Sequence, residues 1–150
     1  MVSESWLFNC PYACEFEEQR RTMKLTTIDI KALQETVHHW EKDILSRLLR
    51  GDVIRRGQRG EICWQDGEPV KCYAEYSAVC KASVDRVGRL NCSRCPYYRY
   101  HAEQCDDQGS RWDCFMRDPG IETCAEMIAG LKEVLAPLVQ STLGNKLSCN

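Results

Sequence analysis

The sequence is short of most features that announce a chemistry. Only three His occur among 150 residues and no C-x-x-C-H is present, which excludes covalent c-type haem. There is no Gly-rich phosphate loop, no Gly-x-Ser-x-Gly elbow and no paired-His zinc-protease motif. Nothing assembles an acid, a base and a nucleophile, so activity residing in this chain alone is not expected, although a place as accessory subunit of a redox enzyme stays open. No apolar run approaches the roughly 20 residues that cross a bilayer. The first twenty residues carry acids rather than a basic start and an apolar stretch, and the expectation is a cytoplasmic protein without membrane contact.

What the chain has in quantity is cysteine, eleven in all. A secreted chain of this size pairs its thiols, but eleven is odd and two well-patterned helices need no covalent staples. In a reducing compartment so many thiols are an oxidation liability unless something holds them, and soft thiolates select zinc or iron-sulfur centres. Metal ligation therefore leads, and a disulfide-stapled binding protein is the third reading behind the two metals.

The net charge of −2 hides an uneven distribution. Residues 1–41 carry −3, residues 42–101 carry +5 and residues 102–150 carry −4. The densest basic stretch, Arg47, Arg50, Arg55, Arg56 and Arg59, suits nucleic-acid phosphate or an acidic partner protein. A plainer account is favoured: Arg near a helix C-terminus complements the dipole, and a solvated loop tolerates charge.

Periodicity predicts a mainly α fold, a small helical domain with a short β-hairpin and Cys-rich loops organised by metal. A helix over about 26 to 50 starts at Thr26, with Asp29 completing a capping-box-like pair, and presents Ile30, Leu33, Val37, Trp40, Ile44 and Leu48. The Asp66-Gly67 pair predicts a hairpin across 61–73 that brings Cys63 and Cys72 together. A second helix over about 74 to 87 points Cys80 toward the core, and a third over about 119 to 136 does so with Cys124. Asp118 is expected to cap that third helix, Pro119 to open it and Pro137 to end or kink it. Residues 88–118 show little periodicity and read as irregular backbone arranged around a site. Residues 1–25 form a Cys-containing N-terminal segment, and 26–150 a single metal-binding domain whose Cys-rich part covers about 60 to 125.

The strongest local motif is Cys92-Ser-Arg-Cys95-Pro96, whose spacing lets one turn aim two sulfurs the same way while its amides face them. It shares only C-x2-C and the following Pro with the C-x2-C-x2-C-x3-C-P run of bacterial ferredoxins. Cys63, Cys72 and Cys80 precede it at separations of 9 and 8 from one another, and Cys105, Cys114 and Cys124 follow Cys95 at separations of 10, 9 and 10, so the central region offers eight thiols for a centre that needs four. The expectation is a 4Fe–4S cluster with Cys92 and Cys95 as ligands, the remaining places contested by Cys80, Cys105, Cys114 and Cys124, and Arg94 and Arg99 offsetting its charge. Such a protein acts in electron transfer, in redox sensing, or as a small cluster-bearing subunit of a larger complex. The alternative is a zinc-stabilised protein or nucleic-acid interaction module, with Zn2+ in a Cys3His set of Cys92, Cys95, His101 and Cys105.

Weaker signals complete the reading. Cys10-x3-Cys14 is a possible second pair on one helical face. Cys10-Pro11-Tyr12 with Glu18-Gln19 echoes Cys95-Pro96-Tyr97 with Glu103-Gln104 at the same offsets, and Met23 offers an alternative start that would make the first corner dispensable. Glu35-x2-His38 has di-iron spacing but no second copy, which favours two surface side chains. Aromatic residues stand beside the cysteines, as Trp64 with Tyr73, Tyr97 with Tyr98 and Tyr100, and Trp112 with Phe115. Around a cluster they would exclude water.

Overall fold

The computed structural model describes residues 23–148, with side chains described for 23–136. The Cys10 and Cys14 pair and the first Cys-Pro-Tyr corner lie outside the described residues. The fold is mainly helical with a small antiparallel sheet of two strands, and no helix among the described residues is long and apolar enough to cross a membrane.

The first long helix follows the apolar stripe. α1 (Thr27–His39) starts on a complete capping box: the Asp29 amide donates to Thr26 Oγ1 at 3.0 Å and the Thr26 amide to Asp29 Oδ2 at 3.1 Å. It continues through a π-helical segment, Trp40–Leu45, into α2 (Ser46–Leu49), and Gly51 at φ 93° ends the run. Leu33, Val37, Trp40 and Ile44 are buried. They meet α6 (Ile121–Ser148), which contributes Cys124, Met127, Ile128, Leu131 and Val134 to the same core.

The sheet differs from expectation. β1 (Ile54–Arg56) pairs with β2 (Ile62–Trp64), so the strand partner of Cys63 is Arg55. The Asp66-Gly67 reversal does form, with Gly67 at φ 92° and the Glu68 amide on Asp66 Oδ1, but it returns to β2 through a single bridge between Cys63 and Pro69. The Trp64 amide donates to the Glu68 carbonyl at 2.8 Å and the Val70 amide to the Ile62 carbonyl at 3.3 Å, so the return is one bridge long.

The helix expected over 74–87 shrinks to a 3-10 turn, Ala74–Tyr76, and α3 (Ala78–Ala82). Short polar side chains interrupt the period: Ser77 accepts the Cys80 amide and caps from inside, while the Asp85 carboxylate takes the Val87 and Arg89 amides at 2.9 Å each. Residues 88–118 are more regular than expected. They hold a 3-10 turn, Cys92–Arg94, then α4 (Pro96–His101) with Pro at its first position and α5 (Arg111–Arg117) capped by Ser110. The third expected helix begins two residues late, because Asp118 ends α5 instead of capping α6, and Thr123 Oγ1 accepts the Gly120 amide. α6 also runs through Pro137 to Ser148 rather than stopping at it.

Candidate metal centre

Four thiols come together from separate elements. Cys80 sits on α3, which is locked to α1 by the buried Thr36 hydroxyl: Oγ1 accepts the Val79 amide at 3.0 Å while donating to the Ala32 carbonyl at 2.7 Å. Ser83 Oγ donates to the Val79 carbonyl at 2.6 Å and faces the Cys95 sulfur. Cys92 opens a 3-10 turn capped by the Asn91 side chain, and the Cys95 amide closes it on the Cys92 carbonyl at 3.0 Å. Cys95 is the buried residue ahead of Pro96 and α4. Cys105 lies in the loop after α4, held by Ser110 Oγ on its carbonyl at 2.6 Å.

These sulfurs line one cavity of about 460 Å³ together with Trp40, Tyr73, Tyr97, Trp112 and Leu131. Burial, first of all, raises the pKa of each of Cys80, Cys95 and Cys105, and the last is pushed up to about 12. The thiols also oppose one another's ionisation: Cys80, Cys95 and Cys92 all act on Cys105, Cys92 acts on Cys80, and Cys80 acts on Cys95. Against this, the Tyr98 and Tyr97 amides and the Ser83 hydroxyl favour the Cys95 thiolate. The amide influence is electrostatic, since no cap hydrogen bond to the Cys95 side chain is formed. Among the described residues no three His, Cys, Asp or Glu side chains already stand as ligands about a single metal ion.

The other central thiols are placed differently. Cys72 lines the same cavity, but its Sγ lies 3.7 Å from Met116 Sδ and its pKa is pushed up to about 12 by burial. Cys63 is on β2, Cys124 is fully buried in the core beneath and Cys114 is exposed beside the Gly109 carbonyl, all three outside the cavity wall. Cys63 and Cys72 both act electrostatically on Tyr73, which stands at this edge of the cavity.

Neither Arg94 nor Arg99 lines the cavity. Arg94 Nη1 instead donates to the Val84 carbonyl at 3.2 Å, and Arg99 is exposed on α4. The charged residues in the wall are Glu75 and Asp106. His101 is turned away from the thiols: Nε2 is 2.7 Å from the Gly130 carbonyl and the ring packs on Tyr97 and Tyr100. Burial holds its pKa below the usual range, so it is neutral at pH 7. Glu35 and His38 are both exposed.

The basic stretch is largely satisfied within the fold. Arg47 contacts Asp52, Asp66 and Glu68 and lies over Trp64 at 4.3 Å, Arg50 contacts Asp52, and Arg56 donates to the Gly60, Met116 and Arg117 carbonyls. Arg55 and Arg59 are exposed.

One unit had no counterpart in the sequence reading. The Tyr97 hydroxyl donates to Glu103 Oε2 at 2.6 Å, the Arg111 amide donates to the same oxygen at 3.2 Å, and Arg111 Nη1 reaches both groups at 3.3 Å. Burial acts to raise the Glu103 pKa, but the Tyr97 hydroxyl and Arg111 outweigh it and the carboxyl is held below its ordinary value. This strap joins the residue two after Cys95 to the residue two before Cys105. It also presses on α6 at Gly130, where a Cβ would stand 2.7 Å from Arg111 Cδ. The echo of Cys-Pro-Tyr with Glu-Gln at fixed offset was its signal in the sequence.

No family model matches the chain, and neither curated proteins nor solved structures yield a significant match.

Proposed function

We propose that Cys80, Cys92, Cys95 and Cys105 hold a 4Fe–4S cluster, and that the protein serves in electron transfer or redox sensing, alone or as the cluster-bearing subunit of a larger complex in the cytoplasm. The observation that supports this reading is that, of the five cysteines lining one largely apolar cavity, four, from α3, the Cys92–Arg94 turn, the α4 start and the following loop, act on one another electrostatically. Four thiolates are what a cubane requires. The room also favours a cluster over a lone ion, since about 460 Å³ is available where about 10–15 Å³ suffices for one water.

The walls indicate how such a centre would behave. Trp40, Tyr73, Tyr97 and Trp112 keep water from it, while Ser83 and the amides after Cys95 supply dipoles to the sulfurs. With no Lys, Arg or His in the wall, and Glu75 and Asp106 at it, added negative charge is poorly offset. The potential is therefore expected in the low part of the range open to these clusters.

Anaerobic purification with iron and sulfide analysis tests the reading. The expected result is about four iron and four sulfide per chain, with visible absorption bleached by dithionite. Cys80→Ser, Cys95→Ser and Cys105→Ser each lose it, and Cys63→Ala, Cys114→Ser and Cys124→Ala keep it. Colourless protein with stoichiometric zinc, or full iron in Cys95→Ser and Cys105→Ser, overturns the assignment.

A further inference from the structure

We infer that the turn Asp85–Arg89 and its flanks form a docking lip for an acidic electron-carrier protein, an inference that rests on the cluster reading and names the partner it would serve. The turn is built rather than loose. The Asp85 amide donates to the Arg89 carbonyl at 2.8 Å, the Gly88 amide to the Asp85 carbonyl at 3.1 Å and the Asn91 amide to the Ser83 carbonyl at 2.8 Å, with a bridge between Val84 and Leu90. Gly88 sits at φ 82°, a conformation that side-chain-bearing residues adopt at a cost. Asp85 Oδ1 is occupied by the Val87 and Arg89 amides.

That arrangement turns the cations and two apolar side chains outward. Val87 is 70% exposed and Leu90 49%, two of the larger apolar side chains left open to solvent. Arg86 is exposed, and the Arg89 side chain is 81% exposed with only a 3.6 Å contact to Asp85, too weak and too solvated to neutralise it. Arg94 leans on the Val84 carbonyl, which satisfies a donor but leaves its charge uncompensated. Leu90 and Cys92 both line the cavity, so the lip stands at its mouth, on the side of one of the four thiols.

An apolar centre rimmed by Arg is the composition of a protein interface, and a preordered turn loses little entropy on docking. Nucleic acid is the weaker candidate, because phosphate binding draws its affinity from many cations along a track and this lip has few. Arg86, Arg89 and Arg94 outnumber Asp85 on the lip itself, with Glu75 and Asp106 in the cavity wall, so an acidic surface is drawn to the lip, and contact at Leu90 would bring a carrier to the cavity mouth.

The test uses the full-length, cluster-loaded protein with a flavodoxin of net negative charge as electron acceptor, followed by stopped flow at low and high salt. The wild-type rate is expected to fall as salt rises, Arg86→Glu with Arg89→Glu to slow it about tenfold or more at low salt, and Val87→Ser to slow it at both salts. A small neutral oxidant should react equally with all three. Equal rates with the flavodoxin in wild type and charge-reversed protein overturn the proposal. So does salt-sensitive binding of a duplex DNA oligonucleotide that the same two substitutions abolish. Iron analysis of each sample separates the two ideas: without iron the cluster reading fails, and calorimetric binding of the flavodoxin that still depends on Arg86 and Arg89 would leave the lip standing.

Discussion

The pair formed by α1 and the first half of α6 is held differently from the cysteine-bearing loops between residues 72 and 117. Leu33, Ile44, Leu131 and Val134 are almost wholly removed from water, and the two helices meet through such side chains with few polar links. The loops instead depend on single side-chain hydrogen bonds to backbone: Thr36 to Val79, Ser83 to Val79, Ser110 to Cys105, Trp112 to Cys72. The helix pair carries its own stability, whereas the loops surround a cavity of about 460 Å³ whose filling would add to theirs. Leu33→Ala tests this with the largest expected effect. Urea unfolding should show a loss of about 2–5 kcal/mol, the same with and without metal. A loss that disappears on metal loading would place the site and the helix pair in one inseparable unit.

Acidity draws the same contrast with a smaller effect. Cys124 in the helical core and Cys72 at the cavity edge are both pushed up to about 12, in each case chiefly by burial. Folding therefore favours the protonated thiol. The stabilisation is fully present below the ordinary thiol value and is lost as pH rises from about 9 toward 12, by about 1.4 kcal/mol per pH unit for each group. Metal-free protein should unfold at lower urea at pH 10 than at pH 7.5. Metal loading should flatten that slope in part, since Cys105, also raised to about 12, would then be tied up, while Cys72 and Cys124 keep titrating. A stability that holds level or rises to pH 10 in metal-free protein would show that these thiols ionise without disturbing the fold.

α1 was legible because one apolar period runs unbroken from Ile30 to Leu48 and its capping box is local. α5 carried an equally local start signal, Ser110 followed three residues later by Asp113, but its seven residues are too few for periodicity to register. The second helix was overextended because Val84 and Val87 fit the apolar period, whereas the Asp85 carboxylate binds the following amides and turns the chain. The Asp66-Gly67 reversal is announced by its local turn chemistry and forms with a single bridge, but the longer pairing of β2 with β1 depends on which neighbour a three-residue strand finds, which local turn chemistry does not decide. At the site, the Cys92 and Cys95 pair was visible from spacing alone. Which other thiols face the cavity was not, because separations of eight to twelve residues single out none of them. The choice depends on how α3 and the 102–110 loop pack on α1 and α6. Arg94 and Arg99 lie outside the cavity wall for a related reason: nearness in sequence to Cys95 does not fix the side of the turn a long side chain takes.

The strap of Tyr97, Glu103 and Arg111 gives the finest test of the contrast, because it belongs to the loops yet is built like a small core. Its members are one-quarter exposed or less, apart from the Arg111 side chain at 28%, and no buried polar side-chain atom in it lacks a partner. Glu103→Gln keeps the shape but removes the charge that Arg111 and the Tyr97 hydroxyl face, at a cost of about 1–3 kcal/mol in metal-free protein. Tyr97→Phe removes the 2.6 Å bond with a similar or smaller loss. Since both act on one unit, the double variant should cost less than the two single losses together, with a coupling of about 0.5–3 kcal/mol. The strap also ties the Cys105 loop to the Cys95 turn, so, if the proposed cluster is bound, iron content should drop in Glu103→Gln under chelator challenge while Leu33→Ala keeps its iron up to its unfolding midpoint. Additive single losses together with unchanged chelator resistance would mean that Tyr97 and Glu103 merely fill space between α4 and α5, and that the thiol spacing is set by α3 and the Cys92–Arg94 turn alone.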